Sequence, residues 1–552
     1  MIHHGNQAAM RKLLSFWKDN SSHYVTGLGH SSIDCCIVTL PRHQTTKKLK
    51  STTGTGQTIQ KIPETNYCRF NWSKTYKWVL TITTCFMSVQ RLSLTWLANT
   101  HCIHRAVLVA IPAGSYSGGQ LHVANQFHVK NKPFPNLQWA TMSFQLGAAF
   151  IPPIFVPLSE SWGRMPGYGV GYTTYIICLF PSAFARNFAT LVVTRCFGGG
   201  AAASTINIIG GSISDFWRGS VARSRPMSLY VFSNVVGVAI GPFVGGSLQR
   251  IHIGTSWRWI FYVQIIWAVA LIPFFYLILY ETRGDVILGK RAKRLRQQTG
   301  RPIYTKSELE MPSAWERLKV STTRPTRMLV TEPVVTFFTL WLSFAWGILF
   351  LFFNSVYLTF HENYKWGVFN VGLDELSILV GAFIGVVFNP IQDAMYRQSA
   401  KKNTQTDTPG KPIPESRLYT SIPGSLLFAS GLFWYGWGSV GHGSVHWIVP
   451  TLGIGCTGAG IFSILMAGIN FLTDAYERYA ASALSATSLG RNIMSGLLPL
   501  SSTALFTHLG FGWAGTLLGF IGVALSVVPV VLVLKGPEIR QRSPVMREST
   551  FD

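Results

Sequence analysis

Apolar stretches of about 18–28 residues recur along most of this chain, and no other feature limits its fold as tightly. They run over 138–158, 167–184, 189–213, 226–248, 257–280, 333–360, 371–390, 422–440, 445–471, 480–507 and 513–534. About 20 apolar residues in helical form cross the ~30 Å hydrocarbon core of a bilayer. Lipid offers the backbone no hydrogen-bond partner, so each crossing segment has to be a helix. Composition agrees: 48% of residues are hydrophobic and 12% charged, about half the usual charged share of a soluble domain. The expected fold is therefore an all-α membrane protein.

The polar connections set its organisation. A basic segment, 281–332, divides the spans six and six and carries KRAKRLRQQ (290–298). A second basic loop, 393–420, follows the eighth span. Basic connections stay on the cytosolic side, which places both termini inside. The net charge of +25 thus belongs to loops facing the cytosol and to no nucleic-acid surface. The expected layout is a disordered cytosolic tail (1–70), a six-helix bundle (71–280), the basic linker (281–332), a second bundle (333–535) and a cytosolic C-terminal tail (536–552). The apolar run 33–40 is too short to span. Trp257, Trp259, Trp366 and Trp447 fall at span ends, where aromatic belts form. The eight cysteines show no CxxC pair or regular spacing, so neither a zinc site nor a disulfide framework is expected. The N-terminal residues lack the apolar core of a cleaved signal peptide. No nucleotide-binding or HExxH pattern stands in a useful context. The chain is not expected to be an enzyme or an ATP-driven pump, and no cofactor or metal is implied.

The first span is abnormal. KWVLTITTCFMSVQ (77–90) starts as a helix, and IPAGSYSGG (111–119) has a membrane pattern. Between them lie Arg91, His101, His104 and Arg105. Each buried arginine costs about 2.5–3.5 kcal/mol on insertion scales. Residues near 90–109 read as an insertion, of the kind a retained intron leaves, breaking a span that runs from 78–89 directly into 110–118. Intramembrane histidines serving as a proton relay are the alternative.

Three motifs carry chemistry. PLSESWGRMPGY (157–168) follows the second span, with Glu160, Gly163 and Arg164; Asp215, in GGSISDFWRG (210–219), is the opposing acid. LVVTRCFGGGAAAS (191–204) puts Arg195 inside the fourth span, too deep to snorkel, where an arginine marks a functional site. VVGVAIGPFVGGSL (235–248) holds Gly237, Gly241, Pro242, Gly245 and Gly246 in the fifth span. Its proline bends the helix, and glycines four apart make a flat packing face. Arg491 and Asn492 lie within the eleventh span. Asn207, Asn234 and Asn470 either line a polar cavity or bond neighbouring helices. Asp374 and Glu375, at the start of the eighth span, read as exterior interface charge, with proton coupling the lesser option.

The six-plus-six layout and these motifs resemble the major facilitator superfamily over about residues 70–545. The 157–168 loop resembles its G-x-L-x-D-R-x-G-R-R pattern, with Val156 for the first glycine and Met165 for the last arginine. It is closest in form to the LSE-x-x-GR-x-P variant of fungal twelve-span drug:proton antiporters. SWRWIFYVQ (256–264), YETRGDVILGKRAKRLRQ (280–297) and LTDAYERYAASALSATSLGRNIMSGLLPL (472–500) resemble other regions of those proteins. The resemblance implies two six-helix bundles working by alternating access around a midplane site. It assigns a cytosolic latch to Glu160, Gly163, Arg164 and Asp215. It gives Arg195 a part in proton transfer or substrate binding, and associates the proline–glycine set with exporters. Inward proton flow then drives export of a drug, polyamine, fungal metabolite or organic acid. The implied setting is a monomer in the plasma membrane, with the vacuolar membrane second. A nutrient or anion importer of the same fold, or a non-transporting relative with a broken first span, are the alternatives.

Overall fold

The computed structural model describes residues 36–39, 59–61, 78, 107–129, 135–217, 220–251, 257–278, 281–305, 308–309, 314–403, 412–441 and 444–551. The chain forms two compact units: residues 1–63 with 292–309, and residues 64–291 with 310–552.

In the first unit, β1 (Cys36–Thr39) pairs antiparallel with β2 (Ile59–Lys61) on one side and with β3 (Ile303–Thr305) on the other. The apolar run that is too short for a bilayer supplies the central strand; CIVT is β-branched and of strand length. The sequence reading expects disorder across 1–70, and the remainder of that tail, Trp78 apart from it, lies outside the described residues.

The second unit is helical. Its first half holds α1 (Val107–Phe127), α2 (Trp139–Phe150), α3 (Pro152–Trp162), α4 (Arg164–Ala183), α5 (Phe188–Phe216), α6 (Ser220–Ile251) and α7 (Arg258–Ile278). α8 (Gly284–Thr299), whose residues from 292 on belong to the first unit, and α9 (Ala314–Thr331) occupy the linker. The second half holds α10 (Pro333–Tyr364), α11 (Val368–Asp374), α12 (Leu376–Lys402), α13 (Ser421–Gly438), α14 (Ile448–Ala475), α15 (Ala480–Leu525) and α16 (Val527–Arg542). Six helical runs among the described residues are long and apolar enough to cross a membrane by length and composition. Twelve spans follow when the interrupted helices are read with their partners. α2 and α3 make one span, broken where Pro152 and Pro153 remove backbone donors; α11 and α12 make another. α15 holds two spans that meet at Gly510, whose φ of 77° ends the eleventh and starts the twelfth. Large apolar side chains such as Ile177, Phe197, Phe383, Phe388, Phe520 and Leu534 are exposed, as lipid-facing positions of a membrane bundle are.

Below, the inner end is the end that carries the basic connections. There Arg164 opens α4, Asp215 ends α5 and Asp474 ends α14. At the outer end, Trp366 and Trp447 pack with ring centroids 5.6 Å apart. Trp257 is buried and donates to Gln126 Oε1 at 2.7 Å, so it fixes α1 to the start of α7 instead of facing a belt. The C-terminal residues are helical: α16 continues to Arg542 and α17 (Pro544–Phe551) follows. Ser543 donates to buried Glu332 at 2.6 Å, and the Tyr476 hydroxyl does so at 3.3 Å. Burial and then the Glu332 carboxylate push that hydroxyl above its ordinary value, which keeps it a donor.

The first span is α1, which begins at Val107 among the described residues, three residues before 110. Residues 79–106, which hold Arg91, His101, His104 and Arg105, lie outside the described residues. α1 packs parallel to α6, with Gly114 against Val238 and Gly241, and Gly118 against Gly245. That register puts Val107 level with Asn234, 14 residues along α6 from Ser220, or about 21 Å of helix rise. Trp78 packs edge-on against Trp217 with ring centroids 5.2 Å apart, beside the inner end of α5.

Candidate functional site

The inner end of the first half is an ion-pair cluster built at the α3–α4 turn. Gly163 makes that turn with φ 108°, a conformation few residues other than glycine adopt. The chain then enters α4 with Arg164, whose Nε donates to Asp215 Oδ2 at 3.0 Å and whose Nη2 reaches Glu160 at 3.4 Å. The structure therefore brings Glu160, Gly163, Arg164 and Asp215 together. It adds Glu281, just beyond α7, which sequence reasoning missed. Glu281 accepts from the backbone N–H of Arg164 at 2.9 Å and of Met165 at 3.1 Å. A carboxylate there satisfies donors at a helix start and complements its dipole. The signal was the acidic residue of YETRGD, placed where the sixth span ends.

The second half repeats the arrangement at equivalent span ends. Arg417, just before α13, is 1% exposed. Its Nε donates to Asp474 at 2.9 Å and its Nη1 reaches Asp393 at 3.5 Å. Its guanidinium carbon lies 3.4 Å from the Tyr396 ring centroid. Asp393 stands where Glu160 does, Arg417 where Arg164 does, and Asp474 where Asp215 does. The start of α6 crosses into this second cluster. Ser224 donates to Asp393 at 2.6 Å, and Arg223 lies 3.6 Å from Asp474. Charge-assisted contacts thus join the two halves at the inner end.

Nearer the midplane, Arg195 on α5 is 3% exposed. Its Nε donates to the Ala140 carbonyl at 2.8 Å, and its guanidinium carbon lies 4.3 Å from the Tyr116 ring centroid and 5.2 Å from that of Phe144. Its Nη2 and the hydroxyls of Tyr116 and Tyr175 are buried without hydrogen-bond partners. In the other half, Arg491 lies 5.6 Å from the Trp346 ring centroid, and its Nε is buried and unpartnered. Asn492 donates to the Ala148 carbonyl at 2.8 Å, tying α15 to α2 across the halves. Ala140 and Ala148 are about 12 Å apart in helix rise, so the two arginines mark different depths. No carboxylate among the described residues is within ion-pair distance of either. Asn234 donates to its own helix at the Tyr230 carbonyl, 3.0 Å away; Asn207 is half-buried on α5, and Asn470 is buried on α14.

The proline–glycine set of α6 makes two contacts. On one side, a Cβ on Gly118 would fall 2.5 Å from the Gly245 carbonyl carbon, and one on Gly241 would fall 2.7 Å from the Gly114 backbone. On the other, a Cβ on Gly246 would fall 2.8 Å from the Val368 carbonyl oxygen, and one on Gly372 would fall 2.9 Å from that of Pro242. Gly237 is buried in the same helix, one turn before Gly241. α6 therefore binds α1 inside its own half and presses α11 of the other half at the outer end. Phe243 and Phe369 meet across that outer contact, with ring centroids 5.9 Å apart.

Residues 106–499 match the family described as the Major Facilitator Superfamily. The chain is 36% identical over 399 residues to "Efflux pump atB" of Aspergillus terreus, covering 71% of this chain and 82% of that protein. It is 33% identical over 439 residues to "Citrinin biosynthesis cluster MFS transporter mrr1" of Monascus ruber, covering 79% and 85%. Among solved structures, the proton:xylose symporter XylE bound to 6-bromo-6-deoxy-D-glucose aligns with a TM-score of 0.57 at 14% identity, over 87% of this chain and all of that one. At that identity the likeness speaks for the fold, and the fold it gives is the two-bundle helical one described above. The family match covers well over half of the chain, and on that ground the protein is a membrane transporter of the major facilitator superfamily, in the line of its fungal efflux transporters.

Proposed function

We propose that this protein is a proton-coupled exporter that moves a small organic anion out across the plasma membrane by alternating access. The observation that carries the reading is the pair of deep arginines, Arg195 and Arg491, each with a buried unpartnered N–H and no carboxylate beside it. A desolvated cation without a counter-charge favours an anionic ligand, and it disfavours a polyamine. Aromatic faces at Tyr116, Phe144 and Trp346 suit an anion carried on a ring. In this reading the two inner-end clusters are the cytosolic latch, and the α6–α11 contact is the outer seal. Neither end exposes the arginines while both are closed.

The experiment uses inside-out membrane vesicles with an acidified lumen, zero membrane potential, labelled p-toluenesulfonate as the anion and labelled spermidine as the cation. One proton exchanged per anion at a one-unit gradient supports about tenfold accumulation, since one pH unit is about 1.4 kcal/mol. The sulfonate is expected to accumulate and to be released when the gradient collapses. Accumulation of spermidine alone, or sulfonate uptake that ignores the gradient, contradicts the proposal.

A second proposal concerns activity. Twenty-eight residues, 79–106, separate Trp78 from Val107, whereas the α1–α6 register leaves about 21 Å, some 14 helical residues, to the inner end of α6. We infer that residues 90–109 are an insertion into the first span and hold the full chain below its transport capacity.

A further inference from the structure

The two acidic residues read from sequence as exterior interface charge are not on the exterior. Asp374 ends α11 and Glu375 follows it, and they are 6% and 1% exposed. The correction has a physical cause: α11 packs against α6 at Gly372, and Thr451 of α14 bonds Asp374.

Among the described residues, no cation pairs with either carboxylate. The Thr451 hydroxyl of α14 donates to Asp374 Oδ1. Asp374 Oδ2 and Glu375 Oε2 are buried with no hydrogen-bond partner, and the Glu375 side chain makes no hydrogen bond. No Lys, Arg or His among the described residues is within ion-pair distance of either. From α13 and α10 the ionisable groups in electrostatic reach are Tyr435 and Tyr364, both neutral at physiological pH. The Tyr435 hydroxyl shares a 2.8 Å hydrogen bond with Thr359, and Ser355, one turn earlier on α10, is wholly buried beside it. From α6 the charged group facing α11 is Arg250, whose guanidinium carbon sits 4.6 Å from the ring centroid of Phe369, five residues before Asp374. On α1 the histidine, His122, is exposed. Two neighbouring carboxylates cannot both be ionised in such a place without several kcal/mol of uncompensated desolvation and repulsion.

The pair also adjoins the outer seal. Gly372, two residues before Asp374, is where α11 presses the Pro242 carbonyl and the Phe243 backbone. We propose that Asp374 and Glu375 form the proton-binding site of the transport cycle, and that loading them with a proton is what lets α11 close on α6. The chemistry is one O–H bond made and broken. A proton from outer water adds to a carboxylate oxygen while the seal is open, stays through closure, and leaves to inner water when the latch opens. An ionised pair keeps α11 hydrated and away from α6. The proposal rests on the proton-coupled reading above and names the group that reading lacked.

The test uses the full chain and, in parallel, the form lacking residues 90–109, in proteoliposomes with p-toluenesulfonate as the probe. Asp374→Asn with Glu375→Gln, singly and together, are compared with the parent. The double variant is expected to lose gradient-driven accumulation at least tenfold while keeping exchange of labelled for unlabelled sulfonate at equal pH. Gradient-driven accumulation at the parental level in the double variant overturns the assignment and leaves proton coupling standing. A parent that ignores the gradient removes the reading beneath it. A second measurement needs no variant. A protonated carboxyl in apolar surroundings gives its proton to dicyclohexylcarbodiimide and adds its oxygen to the carbodiimide carbon, so the parent is expected to carry an adduct at Asp374 or Glu375 that declines as outer pH rises. No adduct at either residue at acidic pH contradicts the proposal.

Discussion

Removing residues 90–109 is expected to raise both the amount of mature protein in the membrane and the transport per cell, by about tenfold or more. The deletion joins Val89 to Ala110 and leaves Trp78 twelve residues before Ala110. In the α1–α6 register, one continuous helix then puts Trp78 level with Arg225, near the inner end of α6 and beside its partner Trp217. The deleted stretch carries Arg91 and Arg105. Two arginines cost about 5–7 kcal/mol on insertion scales, comparable with the whole stability of a typical domain, about 5–15 kcal/mol. Recovering about 1.4 kcal/mol is already tenfold in a two-state equilibrium. Surface abundance by quantitative blotting and sulfonate efflux from a sensitive host are the measurements. Unchanged or lower values of both count against the insertion, as does a mature transcript that encodes these residues.

Gly118→Val is expected to abolish transport, with at least a tenfold loss of initial rate and a large fall in detergent stability. Its Cβ meets Gly245 and Gly246 backbone atoms at 2.5–2.8 Å, so no flexible side chain can move aside. The helices must separate along a face that depends on close backbone approach, and α6 would then shift against α11 as well. Overpacking in a close-packed interior costs about 1–3 kcal/mol and sometimes more. Gly284→Val, with nothing within 4 Å of its added Cβ, is the matched control and is expected to be silent. Wild-type transport in Gly118→Val contradicts the packing account of this motif.

Much of the architecture is legible in the sequence because one physical requirement, backbone satisfaction in lipid, writes itself as long apolar runs. The gap between α7 and α10 is legible for the same reason: the charge of that stretch cannot enter lipid. The first inner-end ion-pair cluster was legible from Glu160, Gly163, Arg164 and Asp215 because Glu160 and Arg164 are one helical turn apart in sequence. Its counterpart was not. Asp393 and Arg417 are 24 residues apart inside a basic loop, where an Asp among Lys and Arg looks like solvated charge. Glu281 was hidden because its partners are backbone N–H groups 117 residues earlier. The burial of Asp374 and Glu375 was misread because position near a span end argues for exposure, and only the packing of α11 against α6 and α14 reverses that. Arg195 was legible as deep, and its aromatic neighbours on α1 and α2 were not, since periodicity places a residue on a face and leaves the opposing helix unnamed.

The central claim is that transport requires α6 and α11 to part at the outer end. Phe243→Cys with Phe369→Cys, bridged by a short bifunctional thiosulfonate and compared with each single substitution, tests it directly. The bridged protein is expected to lose sulfonate transport at least tenfold and to regain it on reduction, with the single substitutions unaffected. Full transport through a protein shown by mass spectrometry to be bridged contradicts the account.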